Sequence, residues 1–393
     1  MQLKPVSFLD FAVFLLFLAF YLVRDSRWKQ TIGCGLRALP FLFFTLPCGL
    51  INERYRTRTE HQLAFTRRSS LFQDVVIRCV RWAFTNVPSD VGKIFFLKGV
   101  SLPYLRFRMW RSGYLRPGKG CPKWTEVNKR KRGMRGLWIS YDTTSRPDVV
   151  VYYVHGGGFA MGSTYFYLEF LMTWLSVLKD LGFRNPAIFA LEYTLIPQEC
   201  HPRQLHETLQ GYSYVLSRIQ NSGKVVVAGD SAGALLVLSM LLYLGSKLST
   251  EIPVFAALIS PWTKLVVDKH RTTDSDYLEP GKLNEYGRIY AGPEDPSNPL
   301  LSPGDCKDPD LWTASFPWEG IGFYHGGSEE LFGPEIERLS RRLSKVGRVI
   351  SRVDSNVHAW PVAAMFLEPS ARKRRKTLLD MSIDIAAAVN GPI

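Results

Sequence analysis

The stretch KVVVAGDSAG at residues 224–233 decides the fold. Lys224–Ala228 is a short apolar run of the length and β-branched content of a buried strand. Ala234–Lys247 is long and apolar, as a buried helix is. Between them lies Gly229-Asp230-Ser231-Ala232-Gly233, a G-x-S-x-G pattern in strand–turn–helix context. A turn this sharp needs neighbours that are nearly free of side chain. It exposes the serine oxygen and aims the first N–H groups of the helix at whatever the serine attacks. Standing alone, the same five residues read equally well as an ordinary glycine-rich turn.

Working outward, the chain repeats this grammar. Val149–His155, Ala187–Tyr193, Val254–Ser260, Ile321–Tyr324 and Arg348–Val353 are strand-like. Thr164–Leu181, Gln204–Ile219 and Glu335–Lys345 have helical periodicity. Strands alternating with helices imply right-handed crossovers and an α/β fold: a mostly parallel central sheet with helices on both faces. In such sheets chemistry collects beyond the carboxyl ends of the strands. His155-Gly156-Gly157-Gly158 follows one of those ends. Its glycines let the backbone N–H groups of Gly156, Gly157 and Gly158 approach a carbonyl oxygen, with the N–H of Ala232 completing an oxyanion hole.

A nucleophilic serine needs a base and an acid. His358, the last histidine, follows the strand Arg348–Val353 and is the expected base. Gly326-Gly327-Ser328-Glu329-Glu330 follows Ile321–Tyr324 and is expected to supply the acid. Either glutamate satisfies the order serine, acid, histidine. The other histidines, His61, His201, His206, His270 and His325, read as structural or exposed, with His325 close enough in sequence to line the site. No HExxH spacing occurs, and the chemistry requires no cofactor.

The 393 residues carry a net charge of +14, which favours anionic surfaces such as phospholipid headgroups. Two clusters, Lys129-Arg130-Lys131-Arg132 and Arg372-Lys373-Arg374-Arg375-Lys376, hold much of the excess. Neither has the interleaved aromatics, zinc spacing or helix-turn-helix pattern of a nucleic-acid binder. The six cysteines are scattered without a CxxC pair, against a metal site or a dense disulfide framework, and read mostly as small buried apolar residues.

Phe11–Val23 is uncharged and apolar, and extended back to Pro5 it approaches the ~20 residues that span a bilayer. A small-x-small cleavage site does not follow it, which favours a retained anchor over a cleaved signal. Ile32–Ile51 is also apolar but contains Arg37, Pro40 and Pro47, and suits a re-entrant or interfacial segment better than a spanning helix. Arg24, Arg27 and Lys29 prefer the cytoplasmic side. With two crossings the remaining chain is lumenal; with one it is cytosolic. The expected organisation is a membrane-anchoring region at 1–52, a helical cap at 53–135 and a catalytic domain at 136–393.

HGGG at 155–158 together with GDSAG at 229–233 resembles the hormone-sensitive-lipase family of esterases, and is most similar to its fungal steryl acetyl hydrolase branch. HGGGFAMGS (155–163), YFYLEFL (165–171), ALEYTLIP (190–197), ISPW (259–262), NPLLSP (298–303) and VHAWP (357–361) carry the resemblance, over roughly residues 136–370. It implies an α/β-hydrolase that cleaves esters, often acetyl esters of sterols or other lipophilic alcohols, at the endoplasmic-reticulum membrane. A family G-x-x-(D/E) pattern aligned on Gly327 selects Glu330 as the acid, with Glu329 second. The family more often has aspartate there, and aspartate where this chain has Ala359. Aromatic residues upstream, including Phe95, Phe96, Tyr104 and Trp110, suit either an apolar substrate pocket or plain packing of the cap. Two other readings are a tailoring esterase of an acylated secondary metabolite and a non-catalytic binder of a hydrophobic ligand.

Overall fold

A computed structural model of the protein describes all residues except 26–27, 117–119, 130–132, 268–272, 274 and 392–393. Part of the first basic cluster and His270 therefore lie outside the described residues. Eight strands form one sheet in the order β1-β2-β4-β3-β5-β6-β7-β8. They are β1 (Lys123–Lys129), β2 (Met134–Ser140), β3 (Val149–Val154), β4 (Pro186–Leu191), β5 (Val225–Asp230), β6 (Phe255–Ile259), β7 (Ile321–His325) and β8 (Val349–Val353). β1 and β2 pair antiparallel, as do β2 and β4, and every other pair is parallel. The α/β-hydrolase fold expected from the motifs is the one observed.

β3, β4, β5 and β6 are buried at every residue, which is why they read as continuous apolar runs rather than alternating ones. One face of the sheet is covered by Arg203–Ile219 and Ala232–Ser246. The other is covered by Leu168–Asp180 and the C-terminal helix Ala371–Asn390. The hairpin β1–β2 was not expected within the cap, so the sheet begins at Lys123 rather than after residue 135. β1 is an edge strand with sequence KWTEVNK, exposed or half-buried throughout, and an edge strand needs no apolar alternation.

The N-terminal third is helical. α1 (Phe8–Asp25) packs along α4 (Lys98–Arg111). α2 is one helical run, Lys29–Arg56, and is long and apolar enough to cross a membrane. Pro40 and Pro47 do not end it; it widens into π-helical turns at Phe41–Thr45 and Ile51–Arg56 instead. α2 runs against α3 (Leu71–Asn86), which begins in a reciprocal capping box between Ser70 and Gln73. None of the six cysteines is paired, and only Cys34 and Cys306 are buried.

The second basic cluster is partly structural. Arg374 is buried, donating to the carbonyls of Glu368 (2.7 Å) and Leu3 (2.7 Å), and Arg375 pairs with Asp180. Nearby, Arg108 is wholly buried against Glu169 and donates to the Lys4 carbonyl at 2.6 Å. Burial pushes the Glu169 carboxyl up, against the lowering pull of Arg108 and Arg374. Removing one partner of such a pair strands a buried charge. Arg108→Met is expected to destabilise the fold by about 3–5 kcal/mol in guanidinium unfolding, and Arg108→Met with Glu169→Leu to recover much of that loss.

Candidate active site

Ser231 sits between β5 and the helix Ala232–Ser246 with φ 52° and ψ −119°. That region is costly for any residue with a side chain, by about 1–3 kcal/mol, so its surroundings must hold it. Its N–H donates to the Ile259 carbonyl at 2.9 Å, and its carbonyl accepts from Trp262 N–H at 3.1 Å. The flanking glycines are required by contact. A Cβ on Gly229 would lie 2.7 Å from the Val154 oxygen, and one on Gly233 would collide with the carbonyls of Val154 and His155. The G-x-S-x-G spacing is therefore set by how closely this turn approaches β3.

The next turn is fixed by Asp230. Its Oδ1 accepts from Tyr153 hydroxyl (2.6 Å) and Gly156 N–H (2.8 Å), and its Oδ2 from Tyr167 hydroxyl (2.8 Å). Burial raises the Asp230 carboxyl above its ordinary range while those three donors pull it down. This bond corrects one expectation: the Gly156 N–H is occupied by Asp230 and does not face a substrate oxyanion. Gly156 instead anchors the glycine turn. Gly157 (φ 110°) and Gly158 (φ 61°) follow in backbone conformations that favour glycine. Among the described residues no protein acceptor takes the N–H groups of Gly157, Gly158 or Ala232, the first residue of its helix. His155 itself stacks on Tyr193 at 4.4 Å and plays a packing role.

His358 is buried, and its Nδ1 lies 2.7 Å from Oε1 of Glu330. The other carboxylate oxygen of Glu330 accepts from Gly326 N–H (2.7 Å) and Ser260 hydroxyl (3.0 Å). Of the adjacent pair it is thus Glu330 that reaches the ring; Glu329 accepts from Ser275 hydroxyl at 2.6 Å. With Nδ1 engaged, Nε2 is the ring nitrogen left for a nucleophile. Among the described residues no hydrogen bond joins Ser231 Oγ to the His358 ring. Pairs of this kind commonly close only around substrate.

Two groups that the sequence did not single out hold these loops together. Ser260, at φ 45°, donates to Glu330 and accepts from Ala359 N–H at 3.0 Å. Asp276 is fully buried; its two oxygens accept from His358 N–H (3.2 Å) and Leu331 N–H (2.8 Å). Burial raises its carboxyl, opposed by the His358 charge. Nothing in the local pattern RTTDSDYL marks Asp276, because its partners are backbone groups distant in sequence. Ser260 stands in ISPW, at the carboxyl end of a strand, and that position was the available signal. The ring of His325 contacts Ser351 hydroxyl and Gly327 N–H.

Two separate aromatic contacts join the site to α3, and α3 to α2. Tyr286 abuts Gly158, where an added Cβ would lie 3.0 Å from its ring. Phe84 on α3 meets Tyr286 edge-on at 6.2 Å, and Trp82 on the same helix stacks on Phe41 of α2 at 5.4 Å. Burial alone would lower the His358 imidazole. The Glu330 hydrogen bond and the charges of Glu330, Asp276 and Asp230 more than reverse that, placing it above its ordinary 6.5. Histidine NMR titration is expected to find a midpoint above 6.5, and Glu330→Gln to move it down; an unmoved midpoint would remove Glu330 as the cause.

The family described as steryl acetyl hydrolase matches residues 126–303. An acetyl-hydrolase of Streptomyces hygroscopicus is 32% identical over 216 residues, covering 53% of this chain and 64% of that protein. An acetyl esterase of Salmonella schwarzengrund is 31% identical over 112 residues, covering 27% of this chain and 32% of that protein. The chain thus spans less than two thirds of either relative's length. Among solved structures, a homologue of hormone-sensitive lipase from a metagenome library, EstE7, superposes with a TM-score of 0.61 at 18% identity, over 81% of this chain and 99% of that one. An esterase of the bacterial hormone-sensitive-lipase family gives a TM-score of 0.62 at 18% identity, over 82% and 99%. The chain has the α/β-hydrolase fold of these solved structures, and its motifs and matched stretch are similar to those of steryl acetyl hydrolases and acetyl-hydrolases.

Proposed function

We propose that the protein is a serine esterase that hydrolyses acetyl esters of lipophilic alcohols, sterols among them, by two-step acyl transfer to water. The observation that carries the reading is the Glu330–His358 contact at 2.7 Å, in a loop system that shares Ser260 and Ile259 with the strained Ser231 turn. In the first step Ser231 Oγ attacks the ester carbonyl while His358 Nε2 takes its proton. Glu330 holds the ring by Nδ1 and stabilises the imidazolium. The N–H groups of Gly157, Gly158 and Ala232 receive the developing oxyanion. His358 then returns the proton to the departing alcohol. In the second step it activates water against the acyl-enzyme, releasing acetate and the free serine.

The acetyl preference draws on the relatives, and the lipophilic alcohol on the matched family and the aromatic pair Tyr286–Phe84 beside Gly158. That pair gives an apolar alcohol an aromatic wall beside the glycine turn. The exposed apolar N-terminal helices support attachment to a membrane, that of the endoplasmic reticulum as the family resemblance implies.

Ser231→Ala is expected to abolish hydrolysis of p-nitrophenyl acetate and labelling by a fluorophosphonate probe. A folded variant that still turns over would remove Ser231 as nucleophile. Glu330→Gln is expected to lower kcat about 10²–10⁴-fold. Glu329→Gln should leave most of the rate; the reverse order would reassign the acid.

A further inference from the structure

The apolar surface of this protein lies where an in-plane attachment would need it. In α1, Phe8 is 87% exposed, Leu16 69%, Phe20 59% and Val23 81%. In α2, Leu36, Phe43 and Phe44 are 61–70% exposed. Single exposed apolar residues are ordinary, but continuous stripes along two adjoining helices are not. Basic residues flank them: Arg24, Lys29 and Arg37 around the junction, and Arg56 and Arg58 at the far end. Apolar stripe and basic rim together are what a headgroup–acyl boundary accepts.

The other face of α1 is committed to the domain. Before α1, Gln2 N–H donates to Tyr114 hydroxyl (2.9 Å), Lys4 N–H to Ser112 hydroxyl (3.0 Å), and the Leu3 carbonyl accepts from Arg374 (2.7 Å). Asp10, fully buried, pairs with Arg111 at the C-terminal end of α4, with Nε at 2.8 Å. At the other end of α1, Tyr21 packs on Gly99 at the start of α4. Between them Leu18 joins Ile94 and Val100 in a small apolar core. α1 is therefore antiparallel to α4 over its whole length. α4 carries Lys98, Arg106, Arg108 and Arg111, and a cation at the middle of a bilayer is costly. α1 cannot cross without leaving α4 or dragging those charges with it. The second half of α2 is tied likewise: Phe41 stacks on Trp82, Glu53 pairs with Arg78 at 2.7 Å, and Arg54 pairs with Asp74 at 3.3 Å.

We propose that α1 and α2 lie in the plane of one leaflet and cross nothing, so that residues 1–25, the α1–α2 junction and the catalytic domain share one side of the membrane. This departs from the expected spanning first segment, and it rests on the reading that the N-terminal region meets lipid. The occupant is a bilayer rather than a second copy of the chain, because the rim is basic on every copy and would face its own kind.

The test uses the full chain in sealed microsomes. Epitopes are placed ahead of Met1, between Arg24 and Lys29, and after Ile393, one per variant, and protease is added outside. Co-flotation with the membranes, with all three epitopes cleaved or all three protected, is the expected result. End epitopes on opposite sides would overturn the proposal, as would a junction epitope alone on the opposite side; in either case membrane attachment itself stands. A chain that does not float with membranes, including one that runs as a soluble dimer, would overturn both the proposal and the membrane reading.

Discussion

One buried carboxylate holds the architecture of the site. Asp230 joins a strand residue, Tyr153, the residue before the helix Leu168–Asp180, Tyr167, and the turn at Gly156, all within 2.6–2.8 Å. Because Asp230 is also the last residue of β5, the same bonds fix where the Ser231 turn begins relative to the glycine turn after β3. A buried carboxylate lacking any one of these donors costs free energy, so the arrangement is all or none. The close approach of Gly229 and Gly233 to the Val154 carbonyl is the steric side of that constraint.

A second lock sets the histidine. Ser260 and Asp276 bind the loops after β6, β7 and β8 to one another through Glu330, Leu331, His358 and Ala359. The non-glycine residues with positive φ include Phe159, Ser231, Ser260 and Ala359, each just past a strand end or beside the histidine. Backbone strain of this kind persists only where bonds over-determine it. Here the bonds are identifiable: Ser231 N–H to Ile259, Ser260 N–H to Tyr324, Ile196 N–H to the Phe159 carbonyl and Ala359 N–H to Ser260. These strained residues and their bonds lie beyond the carboxyl ends of the strands, while the middle of the sheet is plain apolar packing.

What was legible in the sequence follows from how local each signal is. The parallel strands could be read because burial on both faces forces unbroken apolar runs such as VVVYYV and KVVVA. The turn at Ser231 could be read because its close approach to β3 forces glycine at two fixed positions either side of the serine. β1 could not, since an edge strand is free to be KWTEVNK. Gly156 was misassigned because a glycine in a donor-rich turn looks the same whether its N–H faces substrate or a neighbouring carboxylate. Asp276 was invisible for the complementary reason: its importance lies in backbone partners 55 and 82 residues away. The prolines of α2 suggested an interruption, and the helix absorbed them by widening.

The clasp between Leu3 and Arg374 bears on the order of events during synthesis. Residues 2–4 bind positions near 112, and also Arg374, 371 residues further on. A contact of that span closes only after Arg374 has left the ribosome. The oily face of α1 that meets α4 waits for less, and is as bare as its outer face until Arg111 has emerged. Nascent chains would thus offer lipid, or a chaperone, a surface larger than the finished protein retains, so targeting is decided before folding is complete.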